Sequence, residues 1–306
     1  MAKRGNFDVL GKYGWCIPSG GDIVILLLLL LLGGLIGSGV VFIAALCLGG
    51  NSAEFMTEYT TLISYPIMFI PPMMWAAGQS RRNRMEFKGL ALDNDNVAPH
   101  GWLLCVLMVM LATLAAGIVG EWSTSWLPPM PAWLEDALKG LTTGSFWVNF
   151  LCVSIFAPFF EEWLCRGTVL RGLLNYEHKN KAGETVRGLK PVWAIVISAA
   201  FFALIHFNSW QGIAAFAMGL VFGFVYYRTG SIWLTMLMHF ANNTFALVLS
   251  NIDSLKEIDN MKEVLPGPLY WAILAFCVAF IVYFVKKFQT IKPLDPQGSC
   301  AEIVSE

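Results

Sequence analysis

Long apolar runs separated by short polar segments dominate the chain. A helix needs about 20 apolar residues to cross a hydrocarbon core of about 30 Å. Runs of roughly this length occur eight times, at 23–48, 59–78, 102–120, 146–174, 192–207, 213–227, 232–249 and 269–285. The pattern therefore predicts an all-α fold, a polytopic membrane helix bundle of about eight transmembrane helices.

Two of the predicted spans are unusual. The second contains Pro66, Pro71 and Pro72, which should bend it. The fourth is apolar in its first part and then carries four charged residues: Glu161, Glu162, Arg166 and Arg171. A charged side chain at the bilayer centre costs at least ~2.5 kcal/mol unless it is paired or hydrated. These residues therefore need partners or a function.

The composition agrees with a membrane protein. Of the 306 residues, 57% are hydrophobic and only 13% are charged, about half the charge of a soluble globular domain. The net charge of -1 provides no basic field that could hold nucleic acid, so nucleic-acid binding is excluded. The seven cysteines have no C-x-x-C spacing and fall mostly in apolar runs, where cysteine behaves as a small hydrophobic residue.

Lysine and arginine are unevenly distributed among the connections. If the N-terminus faces the cytoplasm, the inside segments 1–21, 79–100, 175–190, 228–230 and 289–306 hold 13 basic residues and the outside segments hold three. Cytoplasmic loops collect positive charge. Both termini are therefore predicted to be cytoplasmic, and in a bacterium the membrane would be the plasma membrane. The outside loop, rich in Trp and Pro, should form an interfacial cap.

The charged residues of the fourth span differ in their helical positions. Glu162 and Arg166 lie four residues apart on one face and can form an ion pair, whereas Glu161 points elsewhere and is left free. Pro158 removes a backbone donor and could open the helix beside that free carboxylate. On this segment alone, a charged cluster that meets lipid headgroups explains the residues as well as a functional site does.

Two of the four histidines also lie in apolar spans. His206 is near the end of the fifth span, and His239 shares a face of the seventh with Asn243. A single histidine could simply bond two helices together. Two histidines, a spare glutamate and an amide on three spans indicate a site. A glutamate and a histidine can deprotonate a water molecule, and a second histidine and an amide can donate to the oxyanion that forms when that water attacks a carbonyl.

These polar residues form three ordered motifs. They are Glu161-Glu162-x-x-x-Arg166, Phe202-x-x-x-His206 and His239-x-x-x-Asn243. The motifs resemble those of the CAAX protease and bacteriocin-processing family, the Abi family of intramembrane proteases, and occur in the family's order within about 85 residues. The resemblance implies an endopeptidase whose site lies inside the bilayer. It also implies a peptide or protein substrate, which could be prenylated or membrane-bound.

The resemblance further implies a role for each residue. Glu161 and His206 would activate the water molecule, and His239 and Asn243 would stabilise the oxyanion. The Glu162/Arg166 pair would brace the site, with Glu162 counted among the catalytic residues. Family members have been described both as metalloproteases and as metal-independent glutamate proteases.

A zinc ion is an open alternative. Two histidines and one glutamate could hold it, and the ligands would then be Glu161, His206 and His239. The same groups serve without a metal, so we favour a site that requires no cofactor.

The chain divides into three segments within one integral-membrane domain. Residues 1–145 hold three spans and the outer loop, 146–250 form a catalytic core with the three motifs, and 251–306 hold the last span and a cytoplasmic tail. Two other functions fit the same polar residues: a proton or ion pathway, and a scaffold or immunity protein in which they only fix helix packing. Of these three functions, only a peptidase requires all of the motif residues to lie close together in space.

One difficulty concerns the depth of the two histidines in the membrane. At about 1.5 Å per residue, His239 would lie about 12 Å from the inner surface and His206 about 24 Å from it. Either the fifth helix is tilted or broken, or its start is misplaced. The loop at 175–190 could also re-enter the membrane.

Overall fold

The computed structural model describes residues 20–48, 52–83, 96–97, 99–141, 144–175, 177–179, 181–252 and 261–293. Its helices are α1 (Gly20–Leu48), α2 (Ser52–Asn83), α3 (Trp102–Thr124), α4 (Ala132–Leu141), α5 (Phe146–Leu174), α6 (Pro191–Leu204), α7 (Ser209–Thr229), α8 (Ile232–Ser250), α9 (Met261–Val264) and α10 (Gly267–Phe288). Two short antiparallel strands, β1 (Glu177–Lys179) and β2 (Thr185–Arg187), connect α5 to α6.

Each of the eight predicted spans corresponds to one helix, so the membrane helix bundle is confirmed. Among the described residues, α1, α3, α5, α7, α8 and α10 are long and apolar enough to cross a membrane. The other two predicted spans are α2, which runs through its three prolines as one helix, and α6, which has only 14 residues. Most of the predicted cytoplasmic segments 1–21, 79–100 and 289–306 lies outside the described residues.

The first two helices pack closely because glycines line their contact. A Cβ atom on Gly33 would lie 2.2 Å from the carbonyl oxygen of Met68, and one on Gly37 would lie 2.7 Å from that of Ser64. Two small residues four positions apart allow membrane helices to bring their backbones together. This contact fixes the middle of α2 against α1.

The fourth predicted span, α5, alternates between two helical forms. Two π-helical stretches, Phe150–Phe156 and Trp163–Leu170, flank an α-helical turn at Ala157–Glu162. In a π-helix each carbonyl bonds the amide five residues on, and such turns often occur at functional sites. The turn between the two stretches carries both glutamates.

The fifth span is shorter than its apolar run suggests. Helix α6 ends at Leu204, so at 14 residues it is about 21 Å long, and His206 lies in the turn that follows. Phe207 in this turn has a φ of 53°, and the Asn208 side chain caps α7 by accepting from the Gln211 amide at 2.8 Å. The indole of Trp210, at the start of α7, donates to the carbonyl of Pro128 in the connection between α3 and α4.

The connection at 175–190 forms a β-hairpin, which the sequence analysis did not predict. The Leu189 amide donates to the Leu173 carbonyl at 2.8 Å, so the hairpin folds back onto the end of α5. Gly188 has a φ of 71°, and a Cβ atom there would lie 2.2 Å from the Leu174 carbonyl oxygen. Only glycine fits this position.

Two apolar clusters fill the bundle. One surrounds α5 and α6 and includes Trp163 and Phe202. The other lies among α3, α7 and α10 and includes Phe222 and Phe284. The motif residues lie where these two clusters meet.

Candidate active site

A buried ion pair lies at the centre of the site. The Arg166 Nη1 donates to Glu162 Oε1 at 2.7 Å, and neither side chain is exposed to solvent. The Arg166 Nη2 donates to the carbonyl of Gly219 on α7 at 3.1 Å. The guanidinium also lies over the rings of Phe202 and Phe222, 4.5 and 5.3 Å from their centroids. The ion pair expected from the four-residue spacing is therefore present, with cation–π contacts on two sides.

His239 on α8 lies between the two glutamates. Its Nδ1 is 3.1 Å from Glu162 Oε1, and because a carboxylate only accepts, Nδ1 must carry the hydrogen. Its Nε2 faces Glu161 Oε2 at 3.9 Å, which is longer than a hydrogen bond. The ring is buried against Phe202 and Phe222. Glu162 thus orients an imidazole whose other nitrogen is directed at Glu161.

Glu161 has two different oxygen environments. Its Oε1 accepts a hydrogen bond from the Tyr65 hydroxyl on α2. Its Oε2 is buried and has no hydrogen-bond partner. The sequence analysis missed Tyr65, because a tyrosine in an apolar span is common at membrane interfaces and nothing in its spacing relates it to Glu161.

His206 approaches the group from the α6–α7 turn. Its Nδ1 lies 2.8 Å from the Phe202 carbonyl oxygen, so Nδ1 carries the hydrogen and, in a neutral ring, Nε2 has the lone pair. The Phe202 ring lies edge-on to both imidazoles, 5.1 Å from His206 and 5.5 Å from His239. In the part of the chain that the structure describes, His206 makes no hydrogen bond to Glu161, and the Phe202 ring packs between the two histidines.

Asn243 lies one helical turn after His239 and is bound to α5. Its Nδ2 donates to the Val153 carbonyl at 2.8 Å, and its Oδ1 accepts from the Asn242 Nδ2 at 3.1 Å. These two contacts fix which end of the amide is the donor. One Nδ2 hydrogen remains available for a further acceptor.

The acceptor for Asn243 exists because of Pro158. In a π-helix the Val153 carbonyl would bond the amide of residue 158, and proline has none. The Ala157 amide, the α-helical donor for that carbonyl, bonds Cys152 instead. Because Pro158 has no amide hydrogen, the Val153 carbonyl is left to accept from Asn243 of the third motif.

The residues do not fit a zinc site. Among the described residues, no three His, Cys, Asp or Glu side chains are grouped so that they could hold a metal ion. This includes Glu161, His206 and His239, the three ligands named for the zinc alternative. Both histidines engage Nδ1 with a protein acceptor, so Nε2 is the ring nitrogen available to another group.

Comparison with known proteins agrees with the motifs. Residues 143–245 match the family model described as Type II CAAX prenyl endopeptidase Rce1-like. The matched segment is roughly a third of the chain and contains all three motifs. No curated protein and no solved structure matches the chain. The resemblance to the CAAX protease family is thus confirmed for the segment from α5 to α8.

Proposed function

We propose that the protein is an intramembrane endopeptidase that hydrolyses a peptide bond with water activated by glutamate and histidine. The family match supports a protease of the CAAX prenyl endopeptidase type. The observation that carries the mechanism is Glu161, whose Oε1 is held by Tyr65 while the buried Oε2 lacks a partner and lies 3.9 Å from His239 Nε2. Burying a carboxylate oxygen without a hydrogen-bond partner lowers the stability of the fold. A functional role explains why such a group is present.

Glu161 is the proposed general base. A water molecule hydrogen-bonded at about 2.8 Å can bridge two atoms 3.9 Å apart. Its oxygen bonds to the carbonyl carbon of the substrate while its proton passes to Glu161, and that proton then goes to the amine that leaves when the C–N bond breaks. In its neutral form His206 has its lone pair on Nε2, because Nδ1 donates to the Phe202 carbonyl, and it then suits the role of a second acceptor for the water.

His239 and Asn243 are the proposed donors to the oxyanion. Because Nδ1 of His239 carries the hydrogen that faces Glu162, the ring donates from Nε2 when it is an imidazolium. Asn243 contributes its remaining Nδ2 hydrogen. Preorganised donors in a buried site stabilise a developing negative charge strongly, because they need no rearrangement when it forms.

The proposed substrate is a peptide held at the membrane, with a prenylated C-terminal sequence as the first candidate. This follows the description of the matched family and the position of the site among apolar helices. Both termini are proposed to be cytoplasmic because of the excess of basic residues in the inside segments.

Replacing the proposed base provides the test. The purified protein in detergent is incubated with a fluorescence-quenched peptide that ends in a farnesylated Cys-a-a-X sequence, and with the same peptide without the lipid. Glu161→Gln should lower the rate by ~10²–10⁴-fold, as expected for loss of a general base, while the Tm stays unchanged. Glu135→Gln is the control, since Glu135 is a partly exposed residue that pairs with Lys139 one turn further along α4.

Full activity of Glu161→Gln would contradict the proposed mechanism. Cleavage of neither peptide by the wild-type protein would contradict the proposed substrate. Proton flux into liposomes that depends on Glu161, without any cleavage, is the result expected of an ion pathway instead.

A further inference from the structure

Tyr65 links the first part of the chain to the site. It lies on α2, outside the matched segment 143–245. Among the described residues it is the one side chain that donates a hydrogen bond to Glu161. Tyr65 and Glu161 are 96 positions apart in the chain, so the hydrogen bond joins two helices that are distant in sequence.

The tyrosine is held in place from two directions. Its ring lies 5.4 Å from Phe69, and the fully buried Phe69 stacks at 5.1 Å on Phe160, the residue before Glu161. On the other side, Gly33 and Gly37 of α1 pack directly against the backbone of α2 at positions 68 and 64. The hydroxyl is therefore presented to Glu161 by a rigid pair of helices.

The bond to Tyr65 fixes the rotation of the Glu161 carboxylate. The terminal torsion of a glutamate is broad and roughly two-fold, so an unrestrained carboxylate would rotate. Because Tyr65 occupies Oε1, the opposite oxygen remains directed at His239 Nε2. We propose that Tyr65 is a positioning residue for Glu161, and that α2 thereby takes part in the peptidase reaction. This inference rests on the proposed function.

The experiment removes only the hydroxyl. Tyr65→Phe should lower kcat about 10- to 100-fold, the effect of losing a hydrogen bond to a charged group, with KM changed less than about twofold and the Tm unchanged. Tyr59→Phe on the same helix is the matched control, because the ring of Tyr59 is exposed and its one aromatic neighbour in the described part of the chain is Phe55. The substrate is the peptide that the wild-type protein cleaves.

A double variant tests whether the hydroxyl acts through the carboxylate. In a Glu161→Gln background, adding Tyr65→Phe should change the residual rate by less than about twofold. A further loss as large as in the wild-type background would overturn the inference. If Tyr65→Phe lowers the Tm, 3,5-difluorotyrosine at position 65 keeps the ring and the hydroxyl while altering donor strength, and an unchanged kcat would also overturn it.

The outcomes separate this inference from the proposed function. Loss of activity in Glu161→Gln with full activity in Tyr65→Phe rejects only the role of Tyr65. A raised KM with an unchanged kcat in Tyr65→Phe would make Tyr65 a substrate contact and likewise reject positioning. Full activity in Glu161→Gln rejects the proposed function itself.

Discussion

Glu162→Gln should destabilise the protein far more than Glu161→Gln, although the two residues are adjacent. Glu162 is fully buried, and its Oε1 accepts from both Arg166 and His239. Glutamine keeps one acceptor oxygen but loses the charge, so the Arg166 guanidinium is left buried with the Gly219 carbonyl and two aromatic faces. Removing one member of a buried ion pair typically costs ~3–5 kcal/mol. This is a large share of a net stability of about 5–15 kcal/mol.

Thermal unfolding in detergent measures the difference. With about 2–4 °C per kcal/mol, the Tm of Glu162→Gln should fall by roughly 6–20 °C, and activity should be lost with it. The double variant Glu162→Gln/Arg166→Met should recover part of the Tm, since no buried charge is then left without a counter-charge. Glu161→Gln should keep its Tm, because the basic group that faces Glu161, His239 Nε2, is 3.9 Å away and His239 keeps its contact with Glu162.

Two results would refute this reasoning. An equal loss of Tm in Glu161→Gln and Glu162→Gln would show that both carboxylates stabilise the fold in the same way. A double variant no more stable than Glu162→Gln would show that the uncompensated guanidinium is not the cause of the loss.

Two further predictions concern the backbone of α5 and the orientation of the chain. Pro158→Ala restores a backbone amide that competes for the Val153 carbonyl, so the Asn243 side chain should lose its hydrogen bond to that carbonyl. Peptidase activity should fall about tenfold with no loss of Tm. Unchanged activity would argue against a role for Pro158 in placing Asn243. A cysteine at Gly183, between β1 and β2, should react in intact cells with a membrane-permeant thiol reagent and not with an impermeant one, relative to the wild-type background. Labelling by the impermeant reagent would reverse the proposed orientation.

The places of the long apolar helices could be predicted because a membrane helix must be apolar over a fixed length. The end of α6 could not be located from this property. Its apolar run continues through Ile205 and Phe207, whereas the helix ends at Leu204. The capping residue Asn208 was the better signal, since its side chain begins the next helix.

Within the site, local geometry was predictable and contacts between distant helices were not. The Glu162 to Arg166 pair follows from helical spacing alone. Three contacts depend on how helices far apart in the chain pack together. They are the contact of His239 with Glu162, the bond from Tyr65 to Glu161 and the bond from Asn243 to the Val153 carbonyl. The π-helical stretches of α5 also change the angular positions that a period of 3.6 residues assigns.

Because Gly33 and Gly37 seat α1 directly on the backbone of α2, the first two helices form a hairpin that holds together by its own contacts. That hairpin supplies Tyr65 to a set of motifs that begins almost 100 residues later. With the proposed role of Tyr65, the smallest fragment that carries the recognisable motifs should work less well than one that also contains the first two helices. Trimming the N-terminal helices as a dispensable anchor would leave every motif intact and Glu161 without its hydrogen-bond donor.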